Sequence, residues 1–369
     1  MILFCATFGG VMSTIGYVIL AILCLMLMVV IHELGHYLAG KALGFKIVEF
    51  SIGFGPAIFK HKNKKTGEIF SIRPFPLGGA CQFVGEDEEN PDEKAFNNQK
   101  PWKRLIVLFS GAFFNFLSAI LFITLLFTFY GQLLPTVNSL SEESYIAQNN
   151  ILQEGDIIYK VNGRQVNILM QDDLQNAFAR VGEDGGTFTI IREGKKLTVN
   201  VKRSEIFVRD AEGNITYDTD NNPITREAFG FVSGLKHVRL NFFTAFARSF
   251  SFGFYIVIKI LWLLGQLVTG QLAFAESAGG PITIISTMSE AGRSGFASLA
   301  YVVCIISANL AVMNLLPLPA LDGSRMVFTI IEWIAKKPVN RKVESAIHFT
   351  GLILLFMVAI FADVLHLIR

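Results

Sequence analysis

Cysteine is scarce in this chain, and its few cysteines follow no metal-binding or disulfide pattern. There are four in 369 residues, and none forms a C-x-x-C pair. This spacing argues against both a cysteine-ligated zinc site and a disulfide framework. The four are Cys5, Cys24, Cys81 and Cys304. Because Cys24 and Cys304 lie in apolar runs, we interpret them as small core residues.

Charge is also sparse. Asp, Glu, Lys and Arg make up 17% of the residues and the formal net charge is only +2, so the charge balance does not indicate a nucleic-acid partner, and none is expected. Hydrophobic residues make up 52%, more than an ordinary soluble domain carries, and they are concentrated in several long runs. The composition therefore indicates a membrane protein.

The N-terminal stretch has no Lys or Arg before Lys41, so it lacks the basic region that begins a secretory signal peptide. No charged residue occurs from 15 to 31 either, and this apolar run continues directly into a polar motif. We therefore predict a retained first membrane helix from about Thr14 to Leu43, long enough to cross a bilayer.

The polar motif at the end of this run reads H-E-x-x-H, with His32, Glu33 and His36. On a helix, positions i and i+4 share a face, so the two imidazoles can bind one metal ion. Glu33 is then the candidate general base toward the attacking water. Ionisable groups within an apolar span are costly and usually functional. The alternative is a hydrophobic helix that carries two histidines at its polar end.

Residues 45–85 are predicted to form a sheet or hairpin that lies against the membrane. Apolar residues alternate from 48 to 54 and again from 69 to 73, and 63–67 forms a basic turn. Two prolines and two glycines then predict that the β pattern breaks. These are Pro74, Pro76, Gly78 and Gly79. The segment is either a plain cytoplasmic loop or an edge strand that pairs with an extended substrate backbone.

Three further apolar runs are predicted to cross the membrane, and Lys and Arg flank their cytoplasmic ends. The positive-inside rule then places both termini outside the cytoplasm and the H-E-x-x-H motif near the cytoplasmic side. Phe242–Val268 is also apolar. Because the soluble domain before it and the start of the next span are both predicted to lie outside, this run cannot cross the membrane just once. We therefore predict an interfacial or re-entrant segment and four spans in all. The three runs are 105–130, 296–316 and 347–367.

Residues 134–232 are polar and mixed, which predicts a soluble domain on the outer side. We predict a strand that ends in a turn at Asn162 and Gly163, a helix over 171–180, and a hairpin across Glu193 and Gly194. This order, with Gly155-Asp156 before the first strand, resembles a bacterial PDZ domain. PDZ domains bind peptide ends by strand addition. Residues 206–228 add a polar, hairpin-like insert of unknown purpose.

A catalytic zinc usually has three protein ligands, so the two histidines leave the site one ligand short. Asn314 begins the pattern N-x-x-P-x-P-x-L-D-G, whose prolines end the third span, and Asp322 follows in apolar surroundings. The charge flanks place Asp322 at the same membrane depth as His32 and His36, which makes it the best third ligand. The alternative is that Asp322 caps the helix that follows.

Taken together, these motifs resemble the site-2 protease family of intramembrane zinc metalloproteases, in its RseP-like, PDZ-containing bacterial branch. The resemblance rests on H-E-x-x-H, on the proline and aspartate pattern at 314–323, on Gly280-Pro281-Ile282, and on the PDZ-like domain. Two departures are visible: Ala112 follows Gly111 where the family usually has proline, and Ser324 stands where a second glycine is common. Neither position belongs to the predicted ligand set.

The resemblance implies a role for each matched residue. His32, His36 and Asp322 would hold one Zn²⁺ per chain, Glu33 would activate water, and Asn314 would hold substrate. The segment 69–84 resembles the family's membrane re-entrant loop, which binds substrate as a strand. Its proposed substrate-binding residues are Ile69, Phe70, Ser71, Ile72, Gly78 and Gly79.

The expected fold is a polytopic α-helical membrane protein of about four transmembrane helices, with a membrane-associated β-hairpin or sheet and one extracytoplasmic PDZ-like α+β domain. The predicted segments are a first transmembrane helix with H-E-x-x-H (1–44), a cytoplasmic-side β region with an acidic loop (45–99), a second transmembrane helix (100–131), the PDZ-like domain with its insert (132–236), an interfacial or re-entrant region (237–293), a third transmembrane helix with the proline motif and a cytoplasmic segment (294–344), and a fourth transmembrane helix (345–369).

The expected function is cleavage of peptide bonds within the transmembrane segments of single-span proteins, in the lipid bilayer of the plasma or inner membrane. Anti-sigma factors and signal-peptide remnants are the substrate classes that the resemblance suggests. The alternative is a catalytically inactive membrane receptor whose PDZ-like domain captures peptide ends, although such a receptor has no need of Glu33. An ion-coupled transporter would predict internal repeats, and none is visible between the two halves of the sequence.

Overall fold

A computed structural model describes residues 2–86, 88, 90–170, 172–210, 212–273 and 279–368. The chain divides into two compact units. Unit 1 consists of Met1–Ile123 and Gly253–Arg369, and unit 2 consists of Thr124–Phe252. Unit 2 is therefore an insertion in the sequence between the two halves of unit 1.

Nine α-helices occur among the described residues, and five segments of them are long and apolar enough to cross a membrane. These five are Thr14–Leu43 within α1, then α2 (Pro101–Phe129), α5 (Phe242–Val268), α7 (Phe296–Leu315) and α9 (Arg341–Ile368). Four agree with the predicted spans, and α5 is a continuous helix over the run predicted to be interfacial or re-entrant. The helices are α1 Ile2–Leu43, α2 Pro101–Phe129, α3 Tyr145–Gln148, α4 Asp172–Phe178, α5 Phe242–Val268, α6 Pro281–Ser294, α7 Phe296–Leu315, α8 Asp322–Ala335 and α9 Arg341–Ile368.

Local sequence explains where several helices begin and end. Pro101 begins α2 and Pro281 begins α6, as expected because proline lacks the N–H that a first helical turn leaves unpaired. The carboxylate of Asp363 on α9 accepts hydrogen bonds from the backbone N–H groups of Ile282 (3.0 Å) and Thr283 (2.9 Å). These contacts satisfy N–H groups at the start of α6 that have no partner within that helix.

A four-stranded sheet follows α1 and confirms the predicted β region. Its strands are β1 Ile47–Phe54, β2 Phe59–Lys62, β3 Ile69–Ile72 and β4 Phe75–Phe83, in the order β2-β3-β1-β4. β1 and β3 are parallel, and both other pairs are antiparallel. On β1, Glu49 accepts hydrogen bonds from Ser71 and Arg73, which hold the pKa of Glu49 below its usual range although burial opposes this. The Arg73 contact is 2.8 Å.

The predicted break at Pro74, Pro76, Gly78 and Gly79 is wrong for all but Pro74, because β4 continues through the other three. The pairing to β1 passes from Ile52↔Gly79 to Phe54↔Phe75 through a register shift, so extra residues of β4 bulge outward. In the described part of the chain β4 is an edge strand. An edge strand accepts proline because one side of its backbone is unpaired.

The segment 69–84 does contain an edge strand, β4, but the predicted substrate-binding residues Ile69–Ile72 lie on β3, which is an inner strand. β3 lies between β2 and β1 and pairs with both of them. Strand addition to β3 is therefore blocked on both sides, whereas β4 pairs with β1 alone among the described strands.

Among the described residues, two apolar clusters lie in the interior of unit 1. One joins the end of α1 to β1, β4 and α2 through Phe45, Ile47, Phe83 and Val107. The other packs α1 against α6 and α7, and its buried members are Ala21, Met28, Met288, Leu299 and Val303. Cys304 is fully buried and Cys24 is half-buried, which agrees with their interpretation as core residues.

Unit 2 contains a six-stranded antiparallel sheet of β5 Gln132–Leu140, β6 Ile157–Val161, β7 Arg164–Gln165, β8 Gly186–Arg192, β9 Lys195–Val201 and β12 Phe231–Val238. Its order is β12-β5-β6-β8-β9, and β7 adds by pairing with β6. The predicted strand before Asn162 is β6, the predicted helix is α4, and the predicted hairpin is β8 and β9, so these three predictions are confirmed. Residue 171 lies outside the described residues. Two further strands, β10 Ser204–Phe207 and β11 Thr225–Ala228, form a separate two-stranded sheet.

The predicted hairpin-like insert is present as the antiparallel pair β10 and β11, which begins at Ser204, two residues before the predicted start, and ends at Ala228. Elsewhere in unit 2, Asp156 is buried and accepts two hydrogen bonds from Arg192, at 2.6 and 2.8 Å. These hydrogen bonds to Asp156 raise the pKa of Arg192 above its usual range.

Candidate metal centre

The two histidines of H-E-x-x-H lie on one face of α1, as the helical spacing predicts. Their Nε2 atoms are 3.1 Å apart and their ring centroids 4.7 Å apart. Both residues are buried, with 8% of His32 and 7% of His36 exposed. The long apolar helix therefore presents two imidazoles to one point inside the protein.

Asp322 meets the histidines at this point. Its Oδ2 lies 3.1 Å from Nε2 of His32 and 3.3 Å from Nε2 of His36. The alternative prediction, that Asp322 caps a helix, is wrong: the N-cap of α8 is Leu321, and Asp322 is the first helical residue. Its carboxylate faces the histidines of α1.

The three ligand atoms have the spacing that a zinc site requires. Tetrahedral zinc with bonds of ~2.0–2.1 Å holds neighbouring ligand atoms roughly 3.3–3.4 Å apart. The observed separations of 3.1–3.3 Å fall close to this value. Within the described residues, Oδ2 of Asp322 is buried and makes no hydrogen bond. A buried carboxylate oxygen that faces two imidazoles and has no donor of its own fits a metal ligand.

Gly111 on α2 provides space beside the histidines. A Cβ at this position would lie 2.7 Å from Cε1 of His32 and would overlap Nε2 of His36. A Cβ at Gly35 on α1 would lie 2.5 Å from the carbonyl oxygen of Ser110 on α2, so the two helices pack backbone to backbone here. The sequence indicated Gly111 only as a small residue suited to helix packing, and its contact with the histidines depends on the tertiary fold.

A backbone carbonyl orients His36. Nδ1 of His36 lies 2.8 Å from the carbonyl oxygen of Val107 on α2. Since a carbonyl can only accept, the Nδ1–H of His36 donates to it, and Nε2 is left with its lone pair for a metal. No sequence pattern indicates this partner, because any residue type supplies a backbone carbonyl.

Asn314 lies beside the other histidine, near the end of α7. Its side-chain amide is 3.4 Å from Nδ1 of His32, measured from Nδ2. The predicted substrate-binding residue is therefore part of the same site, on the side of His32 that faces away from the ligand point.

Glu33 and Gly79 come together from α1 and β4. A Cβ at Gly79 would lie 3.1 Å from Cγ of Glu33, so the backbone of β4 passes directly over the glutamate side chain. Gly78 is its neighbour, with φ of +129°. The structure thus brings Gly79, one of the six predicted strand residues, to the motif, and Gly78 precedes it on β4.

The other four predicted strand residues lie on β3, on the far side of β1 from β4. Ile69 and Phe70 line a separate cavity of about 280 Å³ together with Tyr37 and Phe50. The sequence pattern located the β region, but it did not distinguish the inner strand from the edge strand.

The site combines two buried histidines with one carboxylate, and a glutamate follows the first histidine at the end of an apolar helix. This combination is typical of the membrane-embedded metallopeptidases. Comparison with known proteins agrees. The family model described as "Peptidase family M50" matches residues 20–358 of this chain. The chain belongs to this family, and it is a metalloprotease.

Relatives of similar length match along nearly the whole chain. A Clostridium acetobutylicum protein is 31% identical over 353 residues, 95% of this chain and 97% of the relative. A Fusobacterium nucleatum protein is 30% identical over 342 residues, 91% and 94% of the two chains. A Clostridium perfringens protein is 29% identical over 343 residues, 92% and 95%. Each of the three is named a "putative zinc metalloprotease".

Proposed function

We propose that this protein is an intramembrane zinc protease, which hydrolyses peptide bonds within the transmembrane segments of single-span membrane proteins. The observation that carries the proposal is the convergence of His32, His36 and Asp322 at one buried point, with Glu33 adjacent in sequence to His32. The zinc named in the three relatives supports Zn²⁺ as the cofactor. The family membership gives no support to the receptor alternative.

His32, His36 and Asp322 would hold the zinc ion through two Nε2 atoms and one carboxylate oxygen. When bound, zinc supplies Lewis acidity toward the scissile carbonyl and the attacking water. The chain's own groups prepare this site in two ways. Val107 fixes the ring of His36 through Nδ1, and the absence of a side chain at Gly111 leaves the ligand atoms unobstructed.

Glu33 would be the general base of the reaction. Its carboxylate takes a proton from the attacking water and passes it to the nitrogen of the leaving amine. Asn314 would hold the substrate beside the metal, and its place next to His32 supports this role.

The edge of β4 would receive the substrate. A transmembrane helix buries its carbonyl groups in its own hydrogen bonds, so it must unwind locally before hydrolysis. Each freed backbone group costs several kcal/mol in lipid unless it finds a partner. Pairing with β4 supplies partners, and the passage of Gly79 over Glu33 brings such a substrate to the general base.

We also propose the RseP-like, PDZ-containing arrangement for this chain. Residues 132–236 would form an extracytoplasmic PDZ-like domain that binds a peptide end or filters substrates by size. The described strand order supports this, because β12 is an edge strand there and Phe231 at its start contacts Phe178 of α4, at 5.5 Å between ring centroids. A strand edge beside a helix is the site at which such domains add a peptide strand.

For the membrane topology, we retain both termini outside the cytoplasm and the metal centre toward the cytoplasmic side. The proposed segments are those of the sequence analysis, with spans in 1–44, 100–131, 294–344 and 345–369 and the region 237–293 in the interface. α5 satisfies the length and hydropathy of a fifth span, so cysteine labelling from either side of the membrane would test the count.

Replacement of Glu33 by Gln tests the proposed chemistry. We expect the variant to retain one zinc per chain while cleavage of a trimmed single-span substrate falls about 10²–10⁴-fold, the usual contribution of a general base. Zinc content and cleavage by the purified protein in liposomes are the measurements. Glu290→Gln, at an exposed glutamate of α6, is the matched control.

Equal cleavage by Glu33→Gln and the wild type would refute Glu33 as the base. If the wild type binds zinc and cleaves no single-span substrate, the proposed protease function itself is wrong.

A further inference from the structure

The loop that carries Asp322 contains a backbone conformation that its sequence does not favour. Ala320, two residues before Asp322, has φ of +74°. For a residue with a Cβ this left-handed conformation is unfavourable, and it persists only where the surroundings impose it. The loop joins α7 to α8 and is therefore the segment that sets the position of the carboxylate.

A hydrogen bond joins this residue to α9. The N–H of Ala320 donates to Nδ1 of His348, at 3.1 Å. Oγ of Ser324 lies 3.5 Å from the same nitrogen and donates to the carbonyl of Leu321 at 2.9 Å. His348 thus contacts the chain on both sides of Asp322.

Close backbone packing accompanies the hydrogen bond. Gly351 lies one helical turn after His348, on the same face of α9, and a Cβ there would overlap Cβ of Pro319. The chain segment from Pro319 to Ala320 is therefore held against α9 by two adjacent positions. Since His348 lies in an apolar spanning helix, where ionisable residues are rare and usually functional, a role in packing alone does not account for it.

We infer that His348 is a positioning residue for the metal site: together with Gly351 it holds Ala320 in its left-handed conformation and so fixes the carboxylate of Asp322 opposite His32 and His36. The inference rests on the proposed function of those three residues as metal ligands. His348 is proposed neither as a metal ligand nor as a substrate-binding residue. Its effect reaches the metal through the backbone of 320–322.

The test measures zinc affinity of the full-length purified protein by competition with a chelator, together with the visible absorption spectrum of the cobalt-substituted protein. We expect His348→Leu to lower zinc affinity by about 10–100-fold, the usual effect of losing a group that orients a ligand. His348→Asn keeps an acceptor near the Nδ1 position and should recover most of this affinity. His366→Leu, at the exposed histidine of the same helix, is the matched control.

A second substitution distinguishes positioning from packing. Ala320→Gly removes the conformational penalty at that residue, so the double variant His348→Leu/Ala320→Gly should bind zinc more tightly than His348→Leu alone. If His348→Leu does not fold, Gly351→Ala tests the same contact, and its added Cβ should lower zinc affinity and change the cobalt spectrum.

Wild-type affinity in His348→Leu, or in Gly351→Ala where that variant is used, would overturn the inference. So would a loss in His348→Leu that neither His348→Asn nor Ala320→Gly restores, because the defect would then be one of packing. These outcomes, in a wild type that binds zinc, overturn the inference alone. If the wild type itself binds no zinc, the proposed function fails and the inference fails with it.

Discussion

Gly111 lies against both histidines, at a point where any side chain would enter the space that a metal ion needs. A Cβ there would be 2.7 Å from Cε1 of His32, and the neighbouring atoms belong to rings held on α1. Val107, one turn earlier on α2, fixes the ring of His36. Single residues of α2 thus shape a site whose ligands all come from other helices.

Substitution of Gly111 by Ala should therefore disrupt the metal site while the fold is retained. The added methyl group displaces the imidazoles, so we expect zinc affinity to fall by at least ~10-fold, the lower end of the effect seen when ligand orientation is lost. Chelator competition measures this.

Gly265→Ala in α5 is the control, because a Cβ there meets no atom within 4 Å. Zinc binding by Gly111→Ala at the wild-type level would contradict the described packing.

At the scale of elements, α8 is fixed at both ends. Asp322 begins it at the metal site, and Glu332 in its last turns is buried with 7% exposed. Glu332 forms ion pairs with Arg104 of α2 at 2.5 Å and with Arg341 of α9 at 2.7 Å. Buried charges are tolerated only when they are paired, and this network joins α2, α8 and α9.

Replacement of Glu332 by Ala should destabilise the protein, because it leaves the buried Arg104 without its carboxylate partner. Loss of one partner of a buried ion pair typically costs about 3–5 kcal/mol. The thermal unfolding midpoint in detergent should fall accordingly.

The double variant Arg104→Met/Glu332→Met is the control and should lose less stability than Glu332→Ala, since an apolar pair can replace a buried ion pair. An unchanged midpoint in Glu332→Ala would show that the ion pair contributes nothing to the packing of α8.

At the scale of the whole molecule, the metal ligands come from opposite ends of the sequence. His32 and His36 lie near the start, Asp322 lies near the end, and unit 2 is inserted between them. The ligand set therefore exists only when α1 and α8 meet in unit 1. A fragment that ends before α7 would contain the H-E-x-x-H motif without its third ligand.

The sequence predicted the elements of the site better than their contacts. Helical spacing and the apolar surroundings identified His32, Glu33 and His36, and the proline-rich pattern singled out Asp322. The continuation of β4 through Pro76 was not predicted, because proline disfavours strands unless the strand lies at an edge, and edge position is a property of the sheet. The inner position of β3 was missed for the same reason.

The supporting contacts of the site could not be predicted, because they join residues that are distant in sequence. Val107 contributes a carbonyl, and the partnership of His348 with Ala320 depends on the packing of α9 against one loop. One sequence signal does point to His348: it is an ionisable residue at the start of the apolar run 347–367, and such residues are usually functional.

The most direct test of the account is zinc K-edge X-ray absorption of the purified protein. We expect two imidazole nitrogens and at least one oxygen within about 2.0–2.2 Å of the zinc, with no sulfur shell. Asp322→Ala should lose bound zinc or change this spectrum, because its carboxylate is the third ligand. A sulfur neighbour, or zinc content and a spectrum unchanged in Asp322→Ala, would contradict the proposed metal centre.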